Sequence, residues 1–141
     1  MLRFGVLECA LSRQITGISH LSLSVGNRDD SVAWYGELLG FQPVATLDCD
    51  DYLETICMDS NGTILAFQQH LEGGAAYHPS RHGLDHLAFS VNSTAALDEW
   101  ATFLDEHGVT WSPVADTPFG KVLCFRDPDG LQLELFAMAG T

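Results

Sequence analysis

Two histidines and a glutamate carry the first chemical signal in this sequence. His20 opens the phrase His20-Leu21-Ser22-Leu23-Ser24-Val25, and His86 opens its near copy, His86-Leu87-Ala88-Phe89-Ser90-Val91, 66 residues later. Both phrases alternate, so His20 shares a strand face with Ser22 and Ser24, and His86 with Ala88 and Ser90. Glu134 stands between Leu133 and Leu135 in a third alternating run. If those leucines face the core, Glu134 faces the other way, on the side of the histidines. A carboxylate among leucines needs a partner, because withdrawing an unpaired charge from water is costly. Two imidazoles and one carboxylate meet that need through a divalent ion. Such a set leaves coordination positions open for water or substrate and suits Zn²⁺, Ni²⁺, Mn²⁺ or Fe²⁺. A single strand histidine is more often a hydrogen-bonded or surface residue. The repeated position and the carboxylate on the same face lift this set above that background.

The elements that must position these side chains follow from the same repeat. Trp34 and Trp100 keep the 66-residue offset, as do Leu38 and Leu104. It becomes 68 for Gly40 with Gly108, Asp59 with Asp127, Gly62 with Gly130 and Leu65 with Leu133. A period of this size means a duplicated structural unit. In the first unit Ile18 to Val25 reads as a strand and Asp29 to Leu39 as a helix with Val32, Trp34, Tyr35, Leu38 and Leu39 on its apolar stripe, stopped by Gly40. Phe41 to Leu47, Tyr52 to Met58 and Thr63 to Gln69 read as strands, the last two joined at Asp59-Ser60-Asn61-Gly62. In the second unit Leu84 to Val91 is a strand. Asn92 or Ser93 caps a helix running to His107. Val109 to Val114, Val122 to Arg126 and Leu131 to Phe136 read as strands. Each unit is thus βαβββ and the fold class α+β. The expected organisation is an N-terminal extension (1–14), a first module (15–70), a linker (71–83) and a second module (84–138), all in one domain.

The chain has 141 residues, the size of one compact domain, and 46% hydrophobic against 18% charged residues is ordinary for a globular protein. Nineteen acidic against six basic residues leave a net charge of −13. That argues against nucleic acid or an anionic membrane surface as partner, since phosphate binding needs clustered Lys and Arg. The four cysteines show no C-x-x-C spacing and read as reduced thiols of a cytoplasmic protein. No apolar run is long enough to span a bilayer, and Met1 to Arg13 lacks the pattern of a signal peptide.

These motifs resemble the vicinal oxygen chelate superfamily, which includes glyoxalase I, extradiol dioxygenases, fosfomycin-resistance thiol transferases and bleomycin-resistance proteins. The likeness is carried by Gly17-Ile18-Ser19-His20-Leu21, by Trp34-Tyr35 with Leu39-Gly40-Phe41, by Leu84-Asp85-His86-Leu87-Ala88-Phe89, and by Phe125-Arg126-Asp127-Pro128-Asp129-Gly130 running into Glu134. The resemblance implies paired modules forming a half-barrel around a metal. It also implies a homodimer in which each site draws on both chains, and it carries the ligand roles onto His20, His86 and Glu134. One departure stands out: Ala66 falls opposite Glu134, where glyoxalase I places a further glutamate that serves as ligand and base.

The functional expectation is a metal-dependent, glyoxalase-like lyase or isomerase acting on a small oxygenated metabolite by Lewis-acid catalysis, with Glu134 as the catalytic carboxylate. Extradiol dioxygenase chemistry and metal-free small-molecule binding, as in bleomycin-resistance proteins, are the alternatives. Gln68, two residues beyond Ala66, is a candidate to reach the site. Lys121 and Arg126 could meet an anionic group and Phe119 could wall a pocket, although strand charges and aromatics are usually solvated or core. His70, at the end of the first module, and the linker residues Tyr77, His78 and His82 could supply acid–base chemistry. The run Asp48, Asp50 and Asp51 reads as a solvated loop.

Overall fold

The computed structural model describes residues 14–140. Cys9 and all but the last residue of the expected N-terminal extension lie outside the described residues. The first unit runs β1 (Leu21–Ser24), α1 (Arg28–Leu39), β2 (Gln42–Asp48), β3 (Tyr52–Met58) and β4 (Ile64–His70). The second runs β5 (His86–Ser90), α2 (Thr94–Glu106), β6 (Ala115–Thr117), β7 (Gly120–Arg126) and β8 (Gln132–Met138). Each folds into a four-stranded mixed sheet, in the orders β1-β4-β3-β2 and β5-β8-β7-β6. In each, the first strand lies parallel to the last and the other pairs are antiparallel. The fold is α+β, two βαβββ modules in tandem.

Local chemistry sets the helix ends. The Asn27 side chain accepts the Asp30 N–H at the start of α1, and Ser93 does the same for Ala96 at α2. Gly40 ends α1 in the left-handed region that a side chain would strain. Tyr35 and Leu38 are buried from α1, and Leu97, Ala101 and Leu104 from α2. They merge with Leu23, Val25, Leu65, Phe67, Leu123, Leu133 and Leu135 into one hydrophobic core shared by both modules. Trp34 stacks on Phe125 at 6.2 Å, and Phe41 meets Phe89 at 5.9 Å, each pair bridging the two modules. The Tyr35 hydroxyl donates to Asp127 Oδ2 at 3.0 Å, and the Gly26 N–H donates to Asp129 Oδ1 at 3.0 Å. The turn before β8 is thus pinned to the first module. The apolar side of each sheet contributes to this common core.

The segment Val109 to Val114, expected as a strand, does not form one. Trp111 makes an isolated bridge with Phe125, and the ladder begins only at Ala115. Pro113 explains the break, since it has no N–H to donate to a ladder. Strand β1 is also shorter than expected, and His20 directly precedes it. Among the described residues no helix is long and apolar enough to cross a membrane.

Candidate metal centre

Glu134 lies mid-way along β8, between fully buried Leu133 and Leu135, and the pleat turns it to the outward face. Parallel pairing sets Ala88 of β5 opposite Glu134 and His86 opposite Gln132. This brings His86 Nε2 to 3.7 Å from Glu134 Oε2, with the carboxylate only 15% exposed and the imidazole 44%. Metal–nitrogen and metal–oxygen bonds to these ligand types measure about 2.0–2.2 Å, so one ion can touch both atoms. The donor chemistry and the spacing fit a divalent cation.

The remaining atoms of both side chains are already engaged. His86 Nδ1 lies 2.8 Å from Asp85 Oδ1, and a carboxylate only accepts, so the ring nitrogen donates. Glu134 Oε1 accepts from Gln132 Nε2 at 2.8 Å and from the Cys124 thiol at 3.7 Å. Cys124 is the direct cross-strand partner of Glu134 on β7. The Asp85 hydrogen bond raises the His86 pKa above its ordinary value; partial burial opposes this and the Glu134 charge adds to it. Burial, then the Glu134 charge, pushes the Cys124 thiol up, which keeps it protonated and able to donate.

His20 directly precedes β1, in the first module. Its Nδ1 lies 3.0 Å from Ser19 Oγ, as His86 Nδ1 lies against Asp85 at the twin position. Within one chain, however, His20 does not join the pair. Among the described residues no three His, Cys, Asp or Glu side chains gather closely enough to hold an ion. Register also locates the departure noted in the sequence. Ser22 pairs with Ala66 as Ala88 pairs with Glu134, so a methyl group occupies the place of a second carboxylate.

The other candidates are dispersed. Gln68 lies on the outward face of β4, its Nε2 3.4 Å from His70 Nε2. Arg126 shares the Glu134 face, opposite Gln132, and donates to the Gly130 carbonyl at 2.8 Å. Phe119, 70% exposed, forms the β6–β7 turn. Lys121 lies on β7. Its ladder partner is Ala137, so it alternates with Leu123 and Phe125, away from Glu134, and it pairs with Asp116 at 3.1 Å. A cleft of about 420 Å³ beside Trp34 and Trp111 reaches Cys124, Arg126 and Gln132, but neither His86 nor Glu134 lines it. Asp85, Gln132 and Cys124 were not singled out from sequence. The readable signal was that Asp85 precedes His86 as Ser19 precedes His20, and that Gln132 shares the face of Glu134 two residues on.

Residues 17–135 match the model of the glyoxalase/bleomycin resistance protein/dioxygenase superfamily. The chain belongs to that superfamily. It is 31% identical over 124 residues to the metallothiol transferase FosB of Shouchella clausii, covering 86% of this chain and 80% of that protein. It superposes on the glyoxylase/bleomycin resistance protein/dioxygenase domain from Frankia sp. EAN1pec with a TM-score of 0.83 at 33% identity, covering 91% and 96% of the two chains. A mutant of the fosfomycin resistance protein FosX from Listeria monocytogenes, complexed with Mn(II) and 1S,2S-dihydroxypropylphosphonic acid, gives 0.72 at 20% identity over 90% and 95%. At that identity the likeness bears on the fold alone.

Proposed function

We propose that this chain is a metal-dependent enzyme of the superfamily, acting on a small molecule with two neighbouring oxygens. His86 and Glu134 of one protomer and His20 of a second copy would hold the ion in a homodimer. The observation that carries the reading is the 3.7 Å approach of His86 Nε2 to Glu134 Oε2, with no third His, Cys, Asp or Glu joining them among the described residues of the same chain. Bound there, the ion supplies a Lewis acid for the substrate's paired oxygens.

The chain's own residues do the rest. Ser22, Ala66 and Ala88 keep both polar faces shallow and leave room for substrate. Arg126 has no carboxylate within ion-pair distance among the described residues and can offset negative charge on that substrate. Ala66 removes a carboxylate base from the first module. This, with the likeness to FosB, favours addition of a thiol nucleophile over lyase or isomerase chemistry. The lyase or isomerase reading keeps one support, the Gln68–His70 pair on the face of the first sheet, where His70 could take a proton.

The test is metal content. Protein purified without added metal is expected to carry close to one divalent ion per chain, and His20→Ala, His86→Ala and Glu134→Gln should each lose it. Metal content unchanged in these variants would remove the site.

A further inference from the structure

We propose that Asp85 and Gln132 are positioning residues of the half-site in each chain: they engage His86 Nδ1 and Glu134 Oε1, so that only Nε2 and Oε2 are left to face a shared ion. The inference rests on the metal-centre reading above and deepens it. An imidazole can place its proton on either nitrogen, and a carboxylate can bind through one oxygen or both. Here neither choice is left open. Asp85 Oδ1 at 2.8 Å accepts from Nδ1, so neutral His86 carries its proton there and its lone pair on Nε2. Gln132 Nε2 at 2.8 Å, seconded by the Cys124 thiol at 3.7 Å, occupies Oε1 and turns Oε2 toward the ring. Asp85 is in turn steadied through its backbone, since the Tyr77 hydroxyl from the linker donates to the Asp85 carbonyl.

The repeat sharpens the inference. Ser19 stands where Asp85 stands, 66 residues earlier, and its hydroxyl lies 3.0 Å from His20 Nδ1. A neutral hydroxyl can donate or accept, so it does not dictate the tautomer as a carboxylate does. The half-site of His86 and Glu134 is therefore built before a second copy arrives, and His20 is the more loosely specified ligand.

Two measurements on the full-length apo-protein test this. In the first, ¹⁵N chemical shifts of the His86 ring are read at pH 8.5 without metal. Wild type and Asp85→Asn, which keeps an acceptor oxygen, should show the Nδ1–H tautomer. Asp85→Leu should move toward Nε2–H. In the second, Zn²⁺ alone is titrated against a chromophoric chelator. Asp85→Leu and Gln132→Leu should each weaken binding about 10- to 100-fold, with Asp85→Asn closer to wild type. Wild-type tautomer and affinity in both leucine variants, while Glu134→Gln abolishes binding, would overturn the positioning roles and leave the site standing. Undiminished Zn²⁺ binding by Glu134→Gln would overturn the site, and the positioning roles with it.

Discussion

At the scale of single residues, His86 is the group whose ionisation decides how the site behaves with pH. Its folded pKa lies above the ordinary 6.5, chiefly through the Asp85 hydrogen bond. In the metal-free protein, the stability this histidine contributes is fully present below its unfolded pKa and lost as pH rises through the raised folded value. Metal binding runs the other way, because the ligand must be neutral. Zn²⁺ affinity is expected to fall as pH drops through the raised pKa, by about tenfold per pH unit below it. In Asp85→Asn the fall should begin at lower pH. Titrations from pH 8.5 to 5.5 check this; an identical midpoint in both proteins would contradict the role given to the Asp85 charge. Ser31 poses a simpler case. Its hydroxyl is buried in α1 with no hydrogen-bond partner among the described residues, where the repeat places Leu97 in α2. Ser31→Ala should be neutral or stabilise by about 1 kcal/mol in denaturant unfolding.

At the scale of elements, the turns before the last strands of each module use one device in two environments. Asp59 Oδ1 accepts the N–H groups of Asn61 and Thr63, and Asp127 Oδ1 those of Asp129 and Leu131. At Asp59 the partial desolvation is outweighed by those backbone bonds and the pKa is lowered. At Asp127, burial beneath Tyr35 outweighs them and the pKa is raised. A carboxyl with a raised folded pKa adds stability below its unfolded pKa that is lost as pH rises through the folded value. Wild type should therefore gain stability relative to Asp127→Asn as pH falls from 7 toward 4, measured by urea unfolding; a widening deficit instead would contradict the burial effect. Gly120 opens β7 with φ +154°, and a Cβ there would meet the Ala137 carbonyl oxygen at 2.1 Å. Gly120→Ala should cost at least about 3 kcal/mol, because backbone, not a yielding side chain, stands in the way. A thermal midpoint at the wild-type value would refute that contact.

At the scale of the whole molecule, one core joins the two modules, and within one chain no three metal-type side chains gather among the described residues. If the ion needs His20 from one copy and His86 with Glu134 from the other, two inactive variants should complement. His20→Ala mixed with Glu134→Gln gives heterodimers with one intact and one doubly defective site. Unfolding and refolding equal amounts together should restore metal binding to about one quarter of the wild-type level, half of the dimers being mixed and half of their sites intact. No recovery on mixing would place the ligands differently, and full activity of His20→Ala alone would exclude that residue.

The duplicated phrases, the alternation along the strands and the turn residues determined both modules, the outward direction of Glu134 and the position of each histidine, because periodicity and turn chemistry are local properties of a chain. Where the reading from sequence failed, a local rule was outweighed: Pro113 halted a strand that apolar content favoured. Only the tertiary structure decided that Tyr35 and Trp34 would join the modules through one core, and that His20 would not join His86 and Glu134 within one chain. It alone also showed that Asp85 engages His86 Nδ1 and that Gln132 and Cys124 engage Glu134 Oε1. Register across neighbouring strands and the packing of one module on another depend on residues far apart in the chain, and no local pattern encodes them.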